Sequence, residues 1–171
     1  VEKVLQMSMF DRQKATLKMK EIDANELISG VINTFALKVE RYNGKITSNL
    51  EAADPVIFAD EMHLTNVIFN LMDNAVKYKS PDRDIALKIR TWNENGKLCI
   101  SVEDNGLGIK KENLKKIFDK FYRGSNLPDR SLPGIGLGLS YVKLLVEAHH
   151  GSISLNSQAG KGTMIEINIP Q

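Results

Sequence analysis

Four short polar or glycine-rich segments contain the residue types that hold a phosphate-bearing nucleotide. In chain order they read Asn-Leu-Met-Asp-Asn-Ala-Val-Lys-Tyr (70–78), Asp-Asn-Gly-Leu-Gly (104–108), Phe-Asp-Lys-Phe-Tyr-Arg (118–123) and Gly-Ile-Gly-Leu-Gly (134–138). Amides and carboxylates can bind a metal ion or a base, and lysine and arginine attract phosphate oxygens. Glycines let the backbone approach a flat ligand closely. Together the segments predict one nucleotide site.

The first segment places amide side chains on one face of a predicted helix. Four polar residues recur at helical spacing on a stripe separate from the apolar face, namely Asn66, Asn70, Asn74 and Lys77. A carboxamide oxygen can ligate Mg²⁺, and its NH₂ group or the lysine can meet phosphate. The alternative is a solvated polar face, which the neighbouring Asp73 and Tyr78 do not exclude.

The second segment begins with a carboxylate at the end of a predicted strand. Asp104 could accept a hydrogen bond from the exocyclic amine of adenine, where guanine carries a carbonyl. Gly106 and Gly108 would allow a sharp turn beside the ligand. An Asn-Gly hairpin turn is the alternative, but it needs a strand on each side, and residues 109–117 have a helical pattern.

The last two segments surround a loop that is long enough to act as a lid. The run Gly134–Gly138 stands directly before a predicted helix, whose N-terminal N–H groups attract anions. Its spacing matches neither a Walker A loop nor a dinucleotide-binding turn, and a flexible joint is the alternative. Phe118 and Phe121 could anchor the lid, from which Lys120 and Arg123 could reach phosphate. The alternative for these cations is solvated loop charge.

Helices and strands alternate along the rest of the chain and would position these segments. Asp23 and Asp60 are predicted caps of two helices, and Leu139–His149 is a third. A short basic helix is predicted at Lys110–Ile117. Alternating apolar residues and turn signals predict strands at 17–22, 46–50, 56–59, 85–89, 98–102, 153–155 and 164–169. The pattern predicts an α/β two-layer sandwich, in which a mixed, mainly antiparallel sheet of about five main strands carries helices on one face.

The composition excludes several classes of protein. A net charge of +2 over 171 residues gives no reason to expect nucleic-acid binding. No apolar run approaches the roughly 18 residues of a membrane helix. The single cysteine, Cys99, excludes an internal disulfide and fits a reducing compartment. Because the chain starts without methionine, we expect it to be part of a longer protein.

The four segments, in this order, resemble the N, G1, F and G2 boxes of the catalytic ATP-binding domain of sensor histidine kinases. Residues 160–163 resemble the last glycine box of that family. The resemblance spans Glu21 to Pro170 and implies the Bergerat ATP-binding fold that gyrase-type ATPases share. It also implies two domains: residues 1–18 would end a dimerisation helix, and residues 19–171 would form the ATP-binding domain, with an ATP lid at about 119–135.

The resemblance implies ATP and Mg²⁺ as cofactors. Asn74 would be the leading Mg²⁺ ligand with Asn70 beside it, and Asp104 would recognise adenine. The catalytic set would be Asn70, Lys77 and Arg123. Tyr78 would contact ribose or phosphate, and further nucleotide contacts would come from Gly106, Gly108, Ile109, Lys120, Phe121, Tyr122, Arg123, Gly134, Gly136, Gly138 and Thr163. Leu137 and Leu139 would wall the pocket or pack into the core.

The reaction implied is transfer of the ATP γ-phosphoryl group to a histidine, yet no histidine of this chain fits the acceptor. The family's acceptor histidine is followed by an acidic residue, whereas His63 precedes Leu64 and His149–His150 precede Gly151. The acceptor would lie in a dimerisation and phosphotransfer domain outside this sequence. The expected partners are that domain, in a homodimer, and the receiver domain of a response regulator. We expect a cytoplasmic location, with membrane contact only through upstream regions.

Three other functions are compatible with a nucleotide site in this fold. Bergerat ATPases typically place a water-activating glutamate where Asn70 stands, and an amide cannot act as a general base. This disfavours hydrolysis. A protein-serine kinase of the anti-sigma type shares the fold, but the upstream helix tail and the complete third segment argue against it. A nucleotide-sensing or pseudokinase module stays open as an alternative.

Overall fold

The computed structural model describes residues 16–119 and 138–171. Its strands are β1 (Met19–Asp23), β2 (Lys45–Leu50), β3 (Val56–Asp60), β4 (Ala86–Glu94), β5 (Lys97–Asp104), β6 (Ser152–Gln158) and β7 (Gly162–Pro170). Five of them form one sheet in the order β2-β4-β5-β7-β6. Only β2 and β4 run parallel, so the predicted mixed, mainly antiparallel sheet is confirmed.

A separate two-stranded sheet joins the start of the described chain to the strand before the asparagine-rich helix. The predicted short strand near residues 17–22 is confirmed as β1, which pairs antiparallel with β3. This pairing places Asp23 opposite Val56 and Met19 opposite Asp60. Both strands therefore end at the helices that follow them, and the sheet fixes where those helices start.

Within the described residues, four helices accompany the strands: α1 (Ala24–Glu40), α2 (Glu61–Lys77), α3 (Lys111–Leu114) and α4 (Gly138–Ala148). Both predicted aspartate caps are confirmed. Asp23 Oδ1 accepts from the Glu26 N–H at 3.0 Å, and Asp60 Oδ1 accepts from the His63 N–H at 3.1 Å. Each cap satisfies an N–H that has no partner within its helix.

The predicted basic helix at Lys110–Ile117 is shorter in the structure. Regular α-helix covers only Lys111–Leu114, and its cap residue Lys110 makes no side-chain capping bond. Residues 115–118 continue as turns, in which Lys116 N–H donates to Asn113 O and Asp119 N–H to Lys116 O. These bonds span three residues, which is the tighter geometry that a helix adopts where it ends.

The core lies between the main sheet and the helices on one of its faces. The predicted apolar face of α2 is buried throughout, as Leu64, Val67, Ile68, Leu71 and Ala75. They belong to one cluster with the inward-facing residues of the sheet, which include Ile89, Ile100 and Ile167. This packing fixes α2 in rotation, so its opposite stripe must face away from the sheet.

The histidines that could not be acceptors occupy structural positions. His149 is buried after α4, where its Nε2 accepts from the Asp60 N–H at 3.0 Å and its Nδ1 lies 2.7 Å from Leu145 O. The ring ties the end of α4 to the start of α2. His63 is half-buried within α2, and exposed His150 follows α4.

Candidate nucleotide site

The structure brings the first segment, which carries the amides, next to Gly138, the last residue of the fourth segment. Gly138, the first residue of α4, faces the Asn74 side chain: a Cβ added at Gly138 would lie 3.5 Å from Asn74 Oδ1. Asn70, one turn earlier on α2, is only 5% exposed, and its Nδ2 donates to Asn66 O at 2.6 Å. The alternative interpretation, that this stripe of α2 is a solvated polar face, is therefore wrong for Asn70.

The lysine of the first segment belongs to an ion-pair cluster. Lys77 Nζ lies 2.8 Å from Asp73 Oδ2, and Lys38 Nζ of α1 lies 2.6 Å from Asp73 Oδ1. Asp73 is buried. Burial favours the protonated acid, but the hydrogen bonds and charges of Lys38 and Lys77 outweigh it and lower the Asp73 pKa. The carboxyl is therefore ionised at neutral pH.

Asp104 stands at the end of β5 in a partly buried position. Its Oδ1 accepts from the Gly106 N–H at 2.8 Å. Burial raises the Asp104 pKa to about 6, against hydrogen bonds from the Gly106 and Thr163 backbone. Two N–H groups use only part of a carboxylate's capacity, which is about four acceptor sites. At neutral pH Asp104 is thus an ionised acceptor that can take a further donor.

Glycines let three chain segments meet closely around Asp104. Gly108 has a φ of +65°, and a Cβ there would lie 2.0 Å from Gln158 O. Gly162 has a φ of +131°, and a Cβ there would lie 2.0 Å from Asp104 O. A positive φ together with a backbone oxygen at the Cβ position excludes residues other than glycine at these two places. The turn between β6 and β7 therefore packs directly on the Asp104 segment.

The end of α2 also meets the Asp104 segment. Tyr78 O accepts from the Leu107 N–H at 2.9 Å, and a Cβ at Gly106 would lie 2.4 Å from the same oxygen. The chain after Gly106 enters α3 and not a strand. The hairpin-turn alternative is therefore wrong, and the first two predicted segments are neighbours.

Two further side chains hold these loops together, and sequence reasoning missed both. Arg83 Nη2 donates to Gly106 O at 3.0 Å and to Gly160 O at 2.9 Å. Ser157 Oγ accepts from the Ile109 N–H at 2.8 Å and lies 2.8 Å from Thr163 Oγ1. The two acceptors of Arg83 lie 23 and 77 residues away in sequence, and Ile109 lies 48 residues from Ser157, so no local pattern points to these contacts.

Several predicted site residues lie outside the described part of the chain. These are Lys120, Phe121, Tyr122, Arg123, Gly134, Gly136 and Leu137, with most of the predicted lid and the first 15 residues of the predicted dimerisation helix. Leu139 is half-buried and packs against the core, which is one of its two predicted roles. The two roles are compatible, because α4 also starts at the site.

The amide pair on α2 fits a magnesium site that the ligand completes. Mg²⁺ prefers oxygen ligands and usually takes only one or two from protein, with phosphates and water supplying the rest. Within residues 16–119 and 138–171, no cluster of three or more His, Cys, Asp or Glu could hold a metal alone. Asn74 offers an amide oxygen beside Gly138, and Asn70 lies one turn earlier on the same helix. This set matches a metal that arrives with a nucleotide.

Comparison with known proteins identifies the family. The family model for histidine kinase-, DNA gyrase B- and HSP90-like ATPases matches residues 59–171. Sensor protein RprX of Bacteroides fragilis is 72% identical over 99% of this chain, and sensor histidine kinase WalK of Bacillus subtilis is 35% identical over 99%. The chain spans only 33% and 28% of these relatives. In the part of the chain that the structure describes, no helix is long and apolar enough to cross a membrane.

Solved structures share the fold. The nucleotide-free catalytic domain of histidine kinase ThkA superimposes with a TM-score of 0.77 at 25% identity, covering 90% of this chain and 96% of that domain. Full-length ShkA in complex with AMPPNP gives a TM-score of 0.85 at 23% identity, covering 99% of this chain and 34% of ShkA. The resemblance to histidine kinase catalytic domains is confirmed. The chain belongs to the family of histidine kinase-, DNA gyrase B- and HSP90-like ATPases.

Proposed function

We propose that this chain is the ATP-binding catalytic part of a sensor histidine kinase. It would hold ATP with Mg²⁺ and present the γ-phosphoryl group to a histidine on a dimerisation domain outside this sequence. The observation that carries the proposal is the environment of Asp104. This ionisable carboxyl is partly buried at a junction of three segments, and its burial raises its pKa to about 6. A ligand with a donor edge gives that arrangement a purpose.

Asp104 would select adenine by accepting from its exocyclic amine. A guanine base would instead direct a carbonyl oxygen at the carboxylate, so two acceptors would face each other. Leaving a buried polar group unpaired costs about 1–3 kcal/mol. Adenine should therefore bind roughly 10- to 100-fold more tightly than guanine through this contact alone. Thr163 and Ser157 would support the same end of the pocket, because their hydroxyls lie 2.8 Å apart beside it.

The amides of α2 would hold the metal and the phosphates. Asn74 would be the leading Mg²⁺ ligand, with Asn70 beside it, and bound Mg²⁺ would offset negative charge on the phosphate oxygens. Lys77 would supply a further positive charge, and Arg123 and Lys120 would do so from the predicted lid. In the transfer, the bond from the γ-phosphorus to the bridging oxygen breaks, a bond to an imidazole nitrogen forms, and ADP leaves. The protein's task is mainly positioning.

The alternative of ATP hydrolysis is disfavoured by Asn70. A general base must accept a proton, and the Asn70 amide does not do so near neutral pH. Its Nδ2 also donates to Asn66 O, which holds the side chain in a fixed orientation. Hydrolysis would then depend on a base from elsewhere. An ATPase rate well above that of free ATP in the isolated chain would favour this alternative.

A response regulator is the partner that we propose for the next step. Histidine kinase ThkA, which shares this fold, has been solved in complex with response regulator protein TrrA. Phosphate on the acceptor histidine would pass to the receiver domain of such a protein. We also propose that the full-length protein is a homodimer, that this chain lies in its cytoplasmic part, and that any membrane contact is made by upstream regions.

The test has two steps. First, calorimetric titration of this chain with ATP and with GTP, each with and without Mg²⁺, should show Mg²⁺-enhanced binding that prefers ATP. Second, the dimerisation domain of the full-length protein is added with labelled ATP, and acid-labile label should appear on that domain and not on this chain. Binding without transfer would support a nucleotide-sensing module instead. Stable, acid-labile label on this chain itself would contradict the assignment of the acceptor to another domain.

A further inference from the structure

We infer that Lys38, on α1, is a positioning residue that frees Lys77 to meet phosphate by neutralising Asp73. The inference rests on the proposed function, because it requires that Lys77 meets a phosphate group. Lys38 lies outside all four nucleotide-binding segments, and nothing in the local sequence points to it. Its role follows from the way in which one buried carboxylate is shared between two helices.

The cluster contains one more positive than negative charge. Asp73 offers a separate oxygen to each lysine, Oδ1 to Lys38 and Oδ2 to Lys77. One cation suffices to neutralise the carboxylate, so the second adds a net charge of +1 for an anionic ligand. Without Lys38, Asp73 would pair with Lys77 alone, and the pair would have no net charge. A neutral pair attracts a triphosphate much more weakly than a cation does.

The two lysines differ in position, which decides which of them is available to the ligand. Lys77 lies one turn after Asn74 on the helix that carries the amides. Its side chain is 29% exposed against 44% for Lys38, so its place on this helix and not its exposure distinguishes it. Lys38 lies on the neighbouring helix. Its Nζ also stands 5.2 Å from the centre of the Phe35 ring, which in turn packs edge-on against Phe69. This cation–π contact favours keeping Lys38 where it is.

Asp73 is almost fully buried between its two lysines. It is 7% exposed, and the two ammonium groups that contact it come from different helices. A buried carboxylate that loses one partner must rely on the other. Removing Lys38 therefore strengthens the hold of Asp73 on Lys77. Removing the carboxylate as well cancels that effect.

The experiment measures ATP binding in a set of charge variants. Lys38→Gln should weaken MgATP binding roughly fivefold, the upper range for a partly exposed ion pair. Lys38→Arg should keep wild-type affinity, because it retains the charge. The double variant Lys38→Gln/Asp73→Asn should return to within about twofold of the wild type. Lys20→Gln is the matched control: it removes a lysine that pairs with Glu61 at the other end of α2, and it should have no effect.

The rescue distinguishes positioning from a purely structural role. If Lys38 and Asp73 only join α1 to α2, the double variant should bind ATP no better than Lys38→Gln. That result would overturn the inference, as would unchanged ATP affinity in Lys38→Gln. Thermal denaturation of each variant shows whether it is folded. Lys38→Arg also changes residue 38 but keeps the ion pair with Asp73, so it shows whether substitution alone affects ATP affinity. If the wild type itself does not bind MgATP, the proposed function fails, which is a different outcome.

Discussion

Replacing Asp104 with asparagine should stabilise the free protein while removing its grip on adenine. The substitution keeps the shape of the side chain, and Oδ1 can still accept from the Gly106 N–H, which is 2.8 Å away in the wild type. Burial raises the Asp104 pKa from 3.8 to about 6, so ionising this carboxyl is harder in the folded protein than in the unfolded chain. The asparagine needs no ionisation and avoids that cost.

The magnitude follows from the pKa. A rise from 3.8 to about 6 corresponds to about 3 kcal/mol at 1.36 kcal/mol for each pH unit. Because Asp104 is only partly buried, we expect about 1–3 kcal/mol in practice. Because its pKa is raised in the folded protein, Asp104 adds to the free energy of unfolding below pH 3.8, and this stabilisation is lost as the pH rises through 6. The advantage of Asp104→Asn should therefore grow between pH 4 and 7 and then stay constant.

The assay is thermal denaturation of wild type and variant across that pH range. At about 2–4 °C for each kcal/mol in a domain of this size, the melting temperature of Asp104→Asn should exceed that of the wild type by roughly 2–12 °C at pH 7.5. ATP affinity should fall about 10- to 100-fold. An asparagine whose oxygen accepts from the Gly106 N–H presents its NH₂ group, a donor, where the adenine amine needs an acceptor. Glu51→Gln, which removes an exposed carboxyl from the loop between β2 and β3, is the control for general charge effects.

Two results would refute this reasoning. If Asp104→Asn melts below the wild type at pH 7.5, then the carboxylate is needed for the fold and its burial is not a cost. If the variant keeps wild-type affinity and preference for ATP over GTP, then Asp104 does not recognise adenine. Titration of two other carboxyl groups, Asp60 and Asp73, does not affect the comparison between wild type and variant. Their pKa values are lowered despite burial, by backbone N–H groups at Asp60 and by lysines at Asp73, so they change stability below pH 4 in both proteins.

Three further substitutions test separate parts of the site. Gly108→Ala should destabilise the domain by about 2–4 kcal/mol in denaturant titration, since its Cβ would meet Gln158 O at 2.0 Å. The control Gly160→Ala, with positive φ but open space around the new Cβ, should cost only about 1 kcal/mol. Equal costs would contradict the close packing at Gly108. Arg83→Gln should raise the Kd for ATP about fivefold by loosening two loops, and an unchanged Kd would show that the loops hold without it. Asn74→Ala should abolish the Mg²⁺-dependent part of ATP binding in calorimetry, and persistence of that part would remove Asn74 from the metal site.

Local signals were sufficient to predict most of the fold. Asp23 and Asp60 start their helices as predicted, because capping depends on a side chain and an N–H three residues away. Strands and hairpins follow from alternation and turn residues, and Asn95, with a φ of 51°, has the backbone that an Asn-Gly turn requires. The basic helix was predicted too long, since its charge pattern does not show that Lys110 lacks a capping bond.

Long-range pairing could not be predicted from those signals. The pairing of β1 with β3 depends on contacts between residues about 40 positions apart, and a single sequence does not record which strand meets which. The same holds for Arg83, whose two acceptors lie 23 and 77 residues away, and for Lys38, which is 35 residues from Asp73. These residues look like ordinary surface charges in sequence. Their roles appear only when the fold brings their partners to them.

The residues that identify the site from sequence are those that lower the stability of the empty domain. Asparagine at positions 70 and 74 is a poorer helix former than alanine, and Asp104 is held ionised where burial opposes it. A fold selected only for stability would replace each of them. ATP and Mg²⁺ would add ligand contacts to these groups, so saturating ligand should raise the melting temperature according to its affinity. The residues that oppose helix formation or burial are therefore concentrated at the site, and this is why a single sequence indicates where the site lies.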